Sequence, residues 1–306
     1  MFKKIKSLIY RVVITTCINF YWIMFKLFLF KPSVLSEQDT INKIIEQKLS
    51  ISRYGDGEFR LMIKKGDIGF QKYDESLSNE LTKCFAERDH RLLICCYDFK
   101  KNRHYGTKSY LWLKRFVFYK YKYIKKLFDK KYVYGNAEIT RFYHPDFYKW
   151  TNFEKIQSEY IPLLKQIWSS RNIIIVEGEN TKLGLGNDLF ESCASIRRVI
   201  CPSKNAFSSI NKIELALQGM YRNNDLILLA LGPTASVLAV SLTISYGWQC
   251  IDIGHIDVVY TWFLNKSKSV AKISGKDVNE AHEGVGEIKV QICDNAYLSQ
   301  IVKKIE

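Results

Sequence analysis

Two carboxylates separated by one glycine give the strongest local indication of chemistry, in the run Arg53-Tyr54-Gly55-Asp56-Gly57-Glu58-Phe59. Carboxylate oxygens at this spacing can converge on a hard divalent cation, Mn²⁺ or Mg²⁺. A cation held by only two protein carboxylates keeps coordination sites open for diphosphate oxygens. We therefore expect Asp56 and Glu58 to bind a metal, with Arg53 adding positive charge toward a phosphate. On spacing alone, a polar glycine-rich turn explains the same residues.

A second glycine-rich segment, V-E-G-E-N-T-K-L-G-L-G-N-D-L-F, occupies residues 176–190. It follows an apolar run typical of a buried strand, and it predicts that a helix opens near its end. Such positions in α/β sheets bind phosphate through free backbone N–H groups. The candidate nucleotide-binding residues are Gly184, Gly186, Asn187 and Asp188. The dinucleotide fingerprint G-x-G-x-x-G is absent, and a capped loop without a ligand remains the alternative.

Two more segments directly follow or end apolar runs. In L-G-P-T-A-S at residues 231–236, Pro233 suits the first helical turn, and Gly232 and Thr234 lie where an anion would bind. The other segment is I-D-I-G-H-I-D at residues 251–257. Its polar side chains are the candidates to position or deprotonate an acceptor hydroxyl, namely Asp252, His255 and Asp257. A lone histidine is more often structural, but two flanking acids favour a site.

The elements that must position these residues alternate along the chain. Short apolar runs rich in β-branched residues predict strands, and helical spacing lies between most of them. The predicted strands are Leu92–Tyr97, Asn172–Val176, Arg198–Cys201, Leu226–Leu231, Gln249–Ile253 and Ile288–Ile292; the predicted helices are 37–49 (capped by Ser36), 75–88, 107–128, 153–169, 187–195, 206–221 and 234–246. This order predicts a Rossmann-like α/β fold, with a mostly parallel sheet and helices on both faces.

The amino-terminal residues 1–35 differ from the predicted α/β domain, residues 36–306. The stretch from Leu8 to Phe30 is apolar apart from Arg11, Asn19, Lys26 and a few threonines. Its uncharged core, from Val12 to Phe25, is shorter than the ~20 apolar residues that a membrane span requires. A core helix, a membrane-spanning helix and an anchor lying in the membrane surface are all compatible with this pattern, and we expect the domain to associate with a membrane.

The chain is basic, with 46 Lys and Arg against 31 Asp and Glu, which gives a formal net charge of +15. Residues 100–132 contribute twelve Lys and Arg interleaved with ten aromatic residues. This composition suits nucleic acid or an anionic membrane surface, and a solvated helix face gives the same pattern. Because the amino terminus is apolar, we expect the protein to lie in the cytoplasm at the inner face of the cell membrane. We expect no nucleic-acid partner. The eight cysteines contain no C-x-x-C pair, which predicts reduced thiols in the cytoplasm.

The ordered blocks together resemble a family. R-Y-G-D-G-E-F is followed by G-x-I-x-F-Q at 66–71, V-E-G and L-G-L-G-N-D-L-F, C-P-S-K-N-A-F at 201–207, L-G-P-T-A, and D-I-G-H-I-D with Y-x-W-F ending at 263. This order is similar to that of the GT-D type bacterial glycosyltransferases. The resemblance departs at 240–242, where Y-D-L of the family is V-S-L, and at 258–262, where I-E-Y-x-W is V-V-Y-T-W.

The resemblance implies a GT-D type fold, a UDP-sugar donor, Mn²⁺ (or Mg²⁺) as cofactor and a D-x-E metal motif at Asp56 and Glu58. It implies transfer to a hydroxyl of a glycan, glycoprotein or lipid-linked acceptor in surface polysaccharide or glycoprotein assembly. The two departures weaken any inference about acceptor specificity. The residues alone also fit a metal-dependent phosphatase or nucleotide-sugar hydrolase, or a non-catalytic basic membrane or nucleic-acid binder.

Overall fold

A computed structural model describes residues 2–64, 66–101, 107–276, 284, 286–290 and 294–306. The strands in these residues are β1 (Ser33–Val34), β2 (Ser50–Tyr54), β3 (Leu92–Cys96), β4 (Val133–Asn136), β5 (Asn172–Gly178), β6 (Ser195–Cys201), β7 (Leu226–Ala230), β8 (Gln249–Asp252), β9 (Lys272–Ile273), β10 (Glu287–Ile288) and β11 (Ile301–Lys304). Nine of them form one sheet in the order β1-β4-β3-β2-β8-β7-β5-β6-β11. The pairs from β4 through to β11 are all parallel, and β9 and β10 pair separately.

The helices of the described residues are α1 (Phe2–Phe28), α2 (Glu37–Gln47), α3 (Asp56–Met62), α4 (Glu75–Ala86), α5 (Lys108–Ile124), α6 (Phe153–Lys155), α7 (Ile161–Lys165), α8 (Ile210–Met220), α9 (Pro233–Tyr246), α10 (Ile256–Leu264) and α11 (Asp294–Gln300). A π-helical turn joins α6 to α7. Short 3₁₀ turns span Ala137–Thr140, Pro145–Trp150 and Ala206–Ser209. The predicted cap of α2 is confirmed, because the Ser36 hydroxyl accepts a hydrogen bond from the Asp39 amide at 3.0 Å.

The chain divides into two compact units. The smaller unit contains residues 1–33 and 98–132, and the larger unit contains residues 34–97 and 133–306. The basic and aromatic segment therefore belongs with the apolar amino-terminal helix, although residues 34–97 of the larger unit lie between the two along the chain. The predicted boundary near residue 35 did not anticipate this second segment.

The sheet of the larger unit is covered on both faces. Ile173 and Ile175 of β5 lie in one apolar core, and Ile174 and Val176 of the same strand lie in the other. All four side chains are fully buried. Alternate residues of one strand thus enter two separate cores, which explains the continuous apolar runs and confirms the predicted mostly parallel α/β fold.

The smaller unit is a pair of helices, α1 and α5, joined by aromatic contacts. Phe25 of α1 is fully buried, and its ring centroid lies 4.7 Å from that of Tyr121. Trp22 meets Tyr110 edge-on at 5.8 Å. By length and composition, residues Ile9–Phe28 of α1 also suffice to cross a membrane.

One predicted helix is wrong. Residues 187–195 form turns that lead into β6, so the glycine-rich segment after β5 opens no helix. The predicted strand Ile288–Ile292 is represented by β10 alone, and residues 291 and 292 lie outside the described residues.

Candidate active site

The connections after four strands meet at one edge of the sheet. β2, β5, β7 and β8 run parallel, so their carboxyl ends lie on the same side. After β2 the chain continues to β3, whereas after the neighbouring β8 it proceeds to β11 at the far margin. The neighbours β5 and β7 diverge in the same way, toward β6 and β8 respectively. Open α/β sheets bind ligands at such points of divergence, and all four candidate segments lie there.

Asp56 and Glu58 lie in the first turn of α3, directly after β2. Glu58 turns back toward the strand, and its Oε2 accepts a hydrogen bond from the Gly55 amide at 2.8 Å. Burial raises the pKa of Glu58 to about 7, and the carboxylates of Asp252 and Asp56 add to this rise against backbone hydrogen bonds. A bound cation would favour the charged form of Glu58 and relieve this cost.

The glycines on either side of Asp56 adopt backbone conformations that other residues also tolerate. Gly55 has φ −102°, in the extended region, and neither flanking glycine is among the residues with positive φ. A Cβ on Gly55 would instead lie 3.3 Å from Glu58 Oε2. The glycine at this position therefore provides space for the glutamate side chain.

Arg53 and Asp252 form an ion pair beneath this turn. The Arg53 Nη2–Asp252 Oδ1 distance is 3.3 Å, and the side chains are 10% and 5% exposed. The guanidinium also donates to the Ala137 carbonyl at 3.0 Å and to the Thr140 hydroxyl. Asp252 accepts further hydrogen bonds from the Arg53 amide and the Ser236 hydroxyl, both at 3.2 Å. Here Arg53 faces a carboxylate, which differs from the phosphate-facing arginine that the sequence predicted.

Gly254 is required by the position of Arg53. Its φ is +51°, and a Cβ would lie 2.1 Å from Arg53 Nη2. The Gly254 amide donates to Asp252 Oδ1 at 3.2 Å. The turn after β8 thus closes tightly over the ion pair that links β2 to β8.

Asp257 holds the glycine-rich segment from the first turn of α10. Its Oδ1 accepts hydrogen bonds from the Gly184 amide at 3.0 Å and the Asn187 amide side chain at 2.6 Å. Its Oδ2 pairs with Lys276 Nζ at 2.6 Å, and both side chains are essentially inaccessible. This enclosed setting differs from that of the predicted acceptor-facing base. Asp257 also accepts the hydrogen bond of the Gly184 amide, which was one of the groups expected to bind phosphate.

A second buried carboxylate, Glu177, supports the same segment. Its Oε2 accepts a hydrogen bond from the Leu183 amide at 2.7 Å, and its Oε1 pairs with Arg198 at 2.5 Å. Burial raises the pKa of Glu177, against the favourable charge of Arg198. Arg198 donates onward to the Leu183 carbonyl at 3.0 Å. Buried charged side chains therefore hold the segment in place, and the segment forms turns where a helix was predicted.

The start of α9 presents a different environment. Thr234 is fully buried, and its hydroxyl has no hydrogen-bond partner within the described structure. Gly232, with φ +55°, lies so close to the Phe70 ring that a Cβ would be 2.2 Å from it. Two residues after Thr234, the Ser236 hydroxyl donates to the Arg53 carbonyl at 2.9 Å. This contact joins the first turns of α9 to the strand that carries the D-x-E turn.

The remaining candidates lie around these groups. His255 is half-buried at the N-cap position of α10, where its carbonyl accepts from the Val258 amide at 3.1 Å. Asp188 contacts Lys165 Nζ at 2.6 Å and the Tyr260 hydroxyl at 2.7 Å. Gly186, two residues before Asp188 in the glycine-rich segment, has a positive φ of +75°. Asp188 therefore fixes the far end of the glycine-rich segment.

Two further motifs of the resemblance are in direct contact. The Asn205 amide donates to the Phe70 carbonyl at 2.9 Å, and Asn205 Oδ1 accepts from the Lys72 amide at 2.8 Å. Asn205 adopts a left-handed conformation, φ +53°, which asparagine tolerates better than most residues. Phe70 in turn covers Gly232, so motifs distant in sequence converge on the start of α9.

The family model of the glycosyltransferase GT-D fold matches residues 51–281, which include every segment described above. The chain belongs to this family. A solved structure of the domain of unknown function 1792, described as having a distinct glycosyltransferase fold, superposes with a TM-score of 0.80 at 32% identity. The match covers 90% of this chain and 96% of that one. A structure titled a new glycosyltransferase from Streptococcus sanguinis gives 0.77 at 32% identity and covers 90% and 100%.

Curated relatives of this GT-D fold glycosyltransferase are longer proteins. The probable glycosyl transferase Gly of Streptococcus gordonii is 36% identical over 89% of the chain, and the glycosyltransferase GlyD of Streptococcus pneumoniae is 35% identical over 87%. The matched region spans only 39% and 32% of those two proteins.

Sequence reasoning missed the charged partners of the site. Arg198 and Lys276 carry no motif, and their partners Glu177 and Asp257 lie 21 and 19 residues away in the chain. A glutamate at the end of an otherwise apolar strand was the available signal, because a charge in a buried strand requires a partner. Nothing in the spacing pointed to Lys276.

Proposed function

We propose that this GT-D fold glycosyltransferase moves a sugar from a UDP-sugar to a hydroxyl acceptor, with a divalent cation bound to Asp56 and Glu58. The bond between the anomeric carbon and the diphosphate oxygen breaks, and a bond from the acceptor oxygen to that carbon forms. The diphosphate leaves with the electron pair, and the acceptor proton passes to a base. Family membership supports the reaction class, while donor, metal and acceptor are part of the proposal.

The observation that carries the proposal is a contact between the start of α9 and the strand that ends in the D-x-E turn. The Ser236–Arg53 hydrogen bond of 2.9 Å joins the start of α9 to the strand that ends in the D-x-E turn. The α9 start offers an unpartnered Thr234 hydroxyl at the N-terminus of a 14-residue helix, where the backbone favours negative charge. An anion near Thr234 would then lie close to the carboxylates that bind its counter-cation.

The residues present fit a nucleotide-bound cation. Among the described residues, no group of three or more His, Cys, Asp or Glu side chains is arranged to hold a metal. Asp56 and Glu58 alone leave most coordination positions to water and diphosphate oxygens, which is the usual Mg²⁺ arrangement. When bound, the cation would neutralise charge that develops on the leaving diphosphate.

The other polar residues divide into positioning and acceptor-facing groups. Arg53 and Asp252 hold the D-x-E turn against β8, and Asp257 holds the glycine-rich segment. His255 is half-buried at the same edge and remains the candidate to orient or deprotonate the acceptor hydroxyl. We propose that the acceptor is a glycan, glycoprotein or lipid-linked molecule of bacterial surface assembly.

Thermal unfolding with UDP and Mn²⁺ tests the metal and the donor together. Wild-type protein should gain stability only when both are present, by about 2.7 kcal/mol at a hundredfold excess over Kd. Asp56→Asn and Glu58→Gln should lose this gain and keep the melting temperature of the unliganded protein. Glu75→Gln, which removes an exposed carboxylate from the first turn of α4, is the matched control and should retain this gain.

Retention of full UDP–Mn²⁺ stabilisation by both variants would remove these carboxylates from the metal site. Product analysis separates the reaction class. Sugar should appear on an added acceptor, whereas free sugar as the main product with acceptor present would indicate a nucleotide-sugar hydrolase.

A further inference from the structure

The net positive charge of the protein resides in the smaller unit. Residues 1–33 and 98–132 contain eighteen Lys and Arg and two Asp, which is a formal +16. The larger unit retains twenty-eight basic and twenty-nine acidic residues, which is a formal −1. A unit of fewer than seventy residues therefore attracts anions, and the unit that carries the candidate site does not.

One face of α1 is apolar and exposed along most of its length. Five apolar residues on this face are 54–67% exposed, namely Ile9, Val13, Phe20, Ile23 and Leu27. They are spaced by four, seven, three and four residues, which places them on one side of the helix. These five residues are named the α1 stripe. They lie opposite Ile18, Trp22 and Phe25, which pack within the unit. Over 18 residues the α1 stripe is about 27 Å long, and an apolar surface of that length requires a partner.

Three partners could cover such a stripe, and charge distinguishes them. A second copy of α1 would pair along the same spacing, but it would bring together two units of +16 each. Nucleic acid satisfies the charge and offers no apolar surface to the mostly aliphatic α1 stripe. An anionic bilayer satisfies both properties, because headgroups meet the basic residues and acyl chains meet the stripe.

The packing of α1 argues against a membrane crossing. Asn19 contacts Lys114 of α5, and Tyr21 meets Phe118 edge-on at 5.6 Å, in the middle of the segment long enough to span. α5 carries five Lys and Arg and no acidic residue. A crossing α1 would bring these charges into the hydrocarbon, where basic side chains are costly.

We propose that the smaller unit is a docking module for an anionic lipid surface, in which the α1 stripe enters the interface and the helix pair stays intact. Exposed aromatic residues of α5, Trp112, Tyr119 and Tyr123, are of the kind enriched at the level of the headgroups. The basic residues of the unit provide the attraction to anionic lipid, so binding depends on both charge and apolar contact.

Flotation of the full chain with vesicles tests this proposal. Wild-type protein should bind vesicles of phosphatidylcholine with 25% phosphatidylglycerol and should bind pure phosphatidylcholine at least tenfold more weakly. The variant Val13→Ser/Phe20→Ser/Leu27→Ser should lose at least ~10²-fold in affinity, since each side chain contributes a buried apolar area. Leu215→Ser/Leu298→Ser, which removes comparably exposed apolar residues of the larger unit, should bind like wild type.

Unchanged melting temperature and UDP–Mn²⁺ binding in the triple variant would show that folding and the candidate site are intact. Three outcomes would overturn the proposal. Equal binding by the triple variant would exclude the α1 stripe, and duplex nucleic acid bound more tightly than the anionic vesicles would replace lipid as the partner. A wild-type dimer that ignores vesicles and dissociates in the triple variant would assign the stripe to a second copy.

Discussion

The two units treat charge in opposite ways. In the larger unit, basic and acidic residues nearly cancel, and several pairs are withdrawn from water, as in Glu177–Arg198 and Asp257–Lys276. In the smaller unit, basic residues far outnumber acids and most of those described lie at the surface. Buried pairs need their partners, because an isolated buried charge is costly, whereas solvated charges need none. The larger unit therefore uses charge to fix its own loops, and the smaller unit presents charge to an external partner.

The largest effect should follow from breaking a buried pair. Arg198→Met leaves Glu177 buried without its cation, and we expect a loss of about 3–5 kcal/mol in unfolding free energy. The pKa of Glu177 is already raised by burial, so the native state binds its proton more tightly than the unfolded chain and stability falls as pH rises. Without Arg198 this dependence should steepen, and the loss should be greater at pH 8 than at pH 5 in chemical denaturation.

The double variant Glu177→Gln/Arg198→Met is the control for that measurement and should lose the added pH dependence. Lys64→Ala, which breaks an ion pair with side chains 56% and 70% exposed, should leave the unfolding midpoint nearly unchanged. If Arg198→Met and Lys64→Ala lowered the unfolding free energy by similar amounts, buried and solvated charges would not differ in their contribution to stability.

Catalytic effects should be confined to the larger unit. His255→Ala should lower turnover at least ~10²-fold, with UDP affinity much less affected, since acid–base and positioning groups contribute this much to the chemical step. His90→Ala, whose side chain is 89% exposed, is the matched control. Initial rates with a soluble acceptor and titrations with UDP give the two quantities. Equal losses in turnover and UDP affinity would instead make His255 a donor-binding residue.

A smaller effect should come from Gly254. In Gly254→Ala the new methyl group would displace Arg53 Nη2, and φ +51° adds about 1–2 kcal/mol of backbone strain. Gly247→Ala shares the positive φ but places its Cβ 3.5 Å from the nearest atom, Arg91 Nη1. The excess loss of stability in Gly254→Ala over Gly247→Ala measures the cost of moving the Arg53–Asp252 pair. Identical melting temperatures would show that the pair is adaptable.

The smallest effect on folding should come from the charges of the smaller unit. Lys122→Gln/Lys126→Gln removes two exposed charges from α5 and the residues after it. We expect an unchanged melting temperature, because solvated side chains contribute little to stability. Vesicle binding should nevertheless weaken about thirtyfold at low salt, since each of the two lysines contributes ~1 kcal/mol near the surface. A clear drop in melting temperature would show that these lysines are structural.

Much of the fold could be predicted because apolar runs report burial directly. β3, β5, β7 and β8 were predicted close to their observed bounds, since strands buried on both faces are continuously apolar. β2 was missed because its sequence, S-I-S-R-Y, contains a single aliphatic residue and therefore lacks the continuous apolar run of the other buried strands. Its serines and arginine are satisfied by partners almost two hundred residues away, which no local pattern records.

The site was predictable in position and less so in detail. Strand ends identified the segments that carry Thr234 and His255, because ligand-binding loops follow parallel strands. The spacing of two carboxylates identified Asp56 and Glu58, although the strand before them was missed. The surroundings of Asp252 and Asp257 depend on Arg53 and Lys276, and sequence spacing carries no information about such contacts. The role of each residue in metal or donor binding stays a prediction.

The anchoring of the glycine-rich segment also bears on the order in which the chain is made. The Gly184 amide donates to Asp257, which lies 73 residues later in the chain. Arg198, which also holds the segment, donates to Gln300, which lies 102 residues later. Domains emerge from the ribosome at about 5–20 residues per second. We therefore expect the sheet strands to form while this loop is still open to proteases, so that a chain stopped before residue 257 is cleaved within 179–194 and the full chain resists.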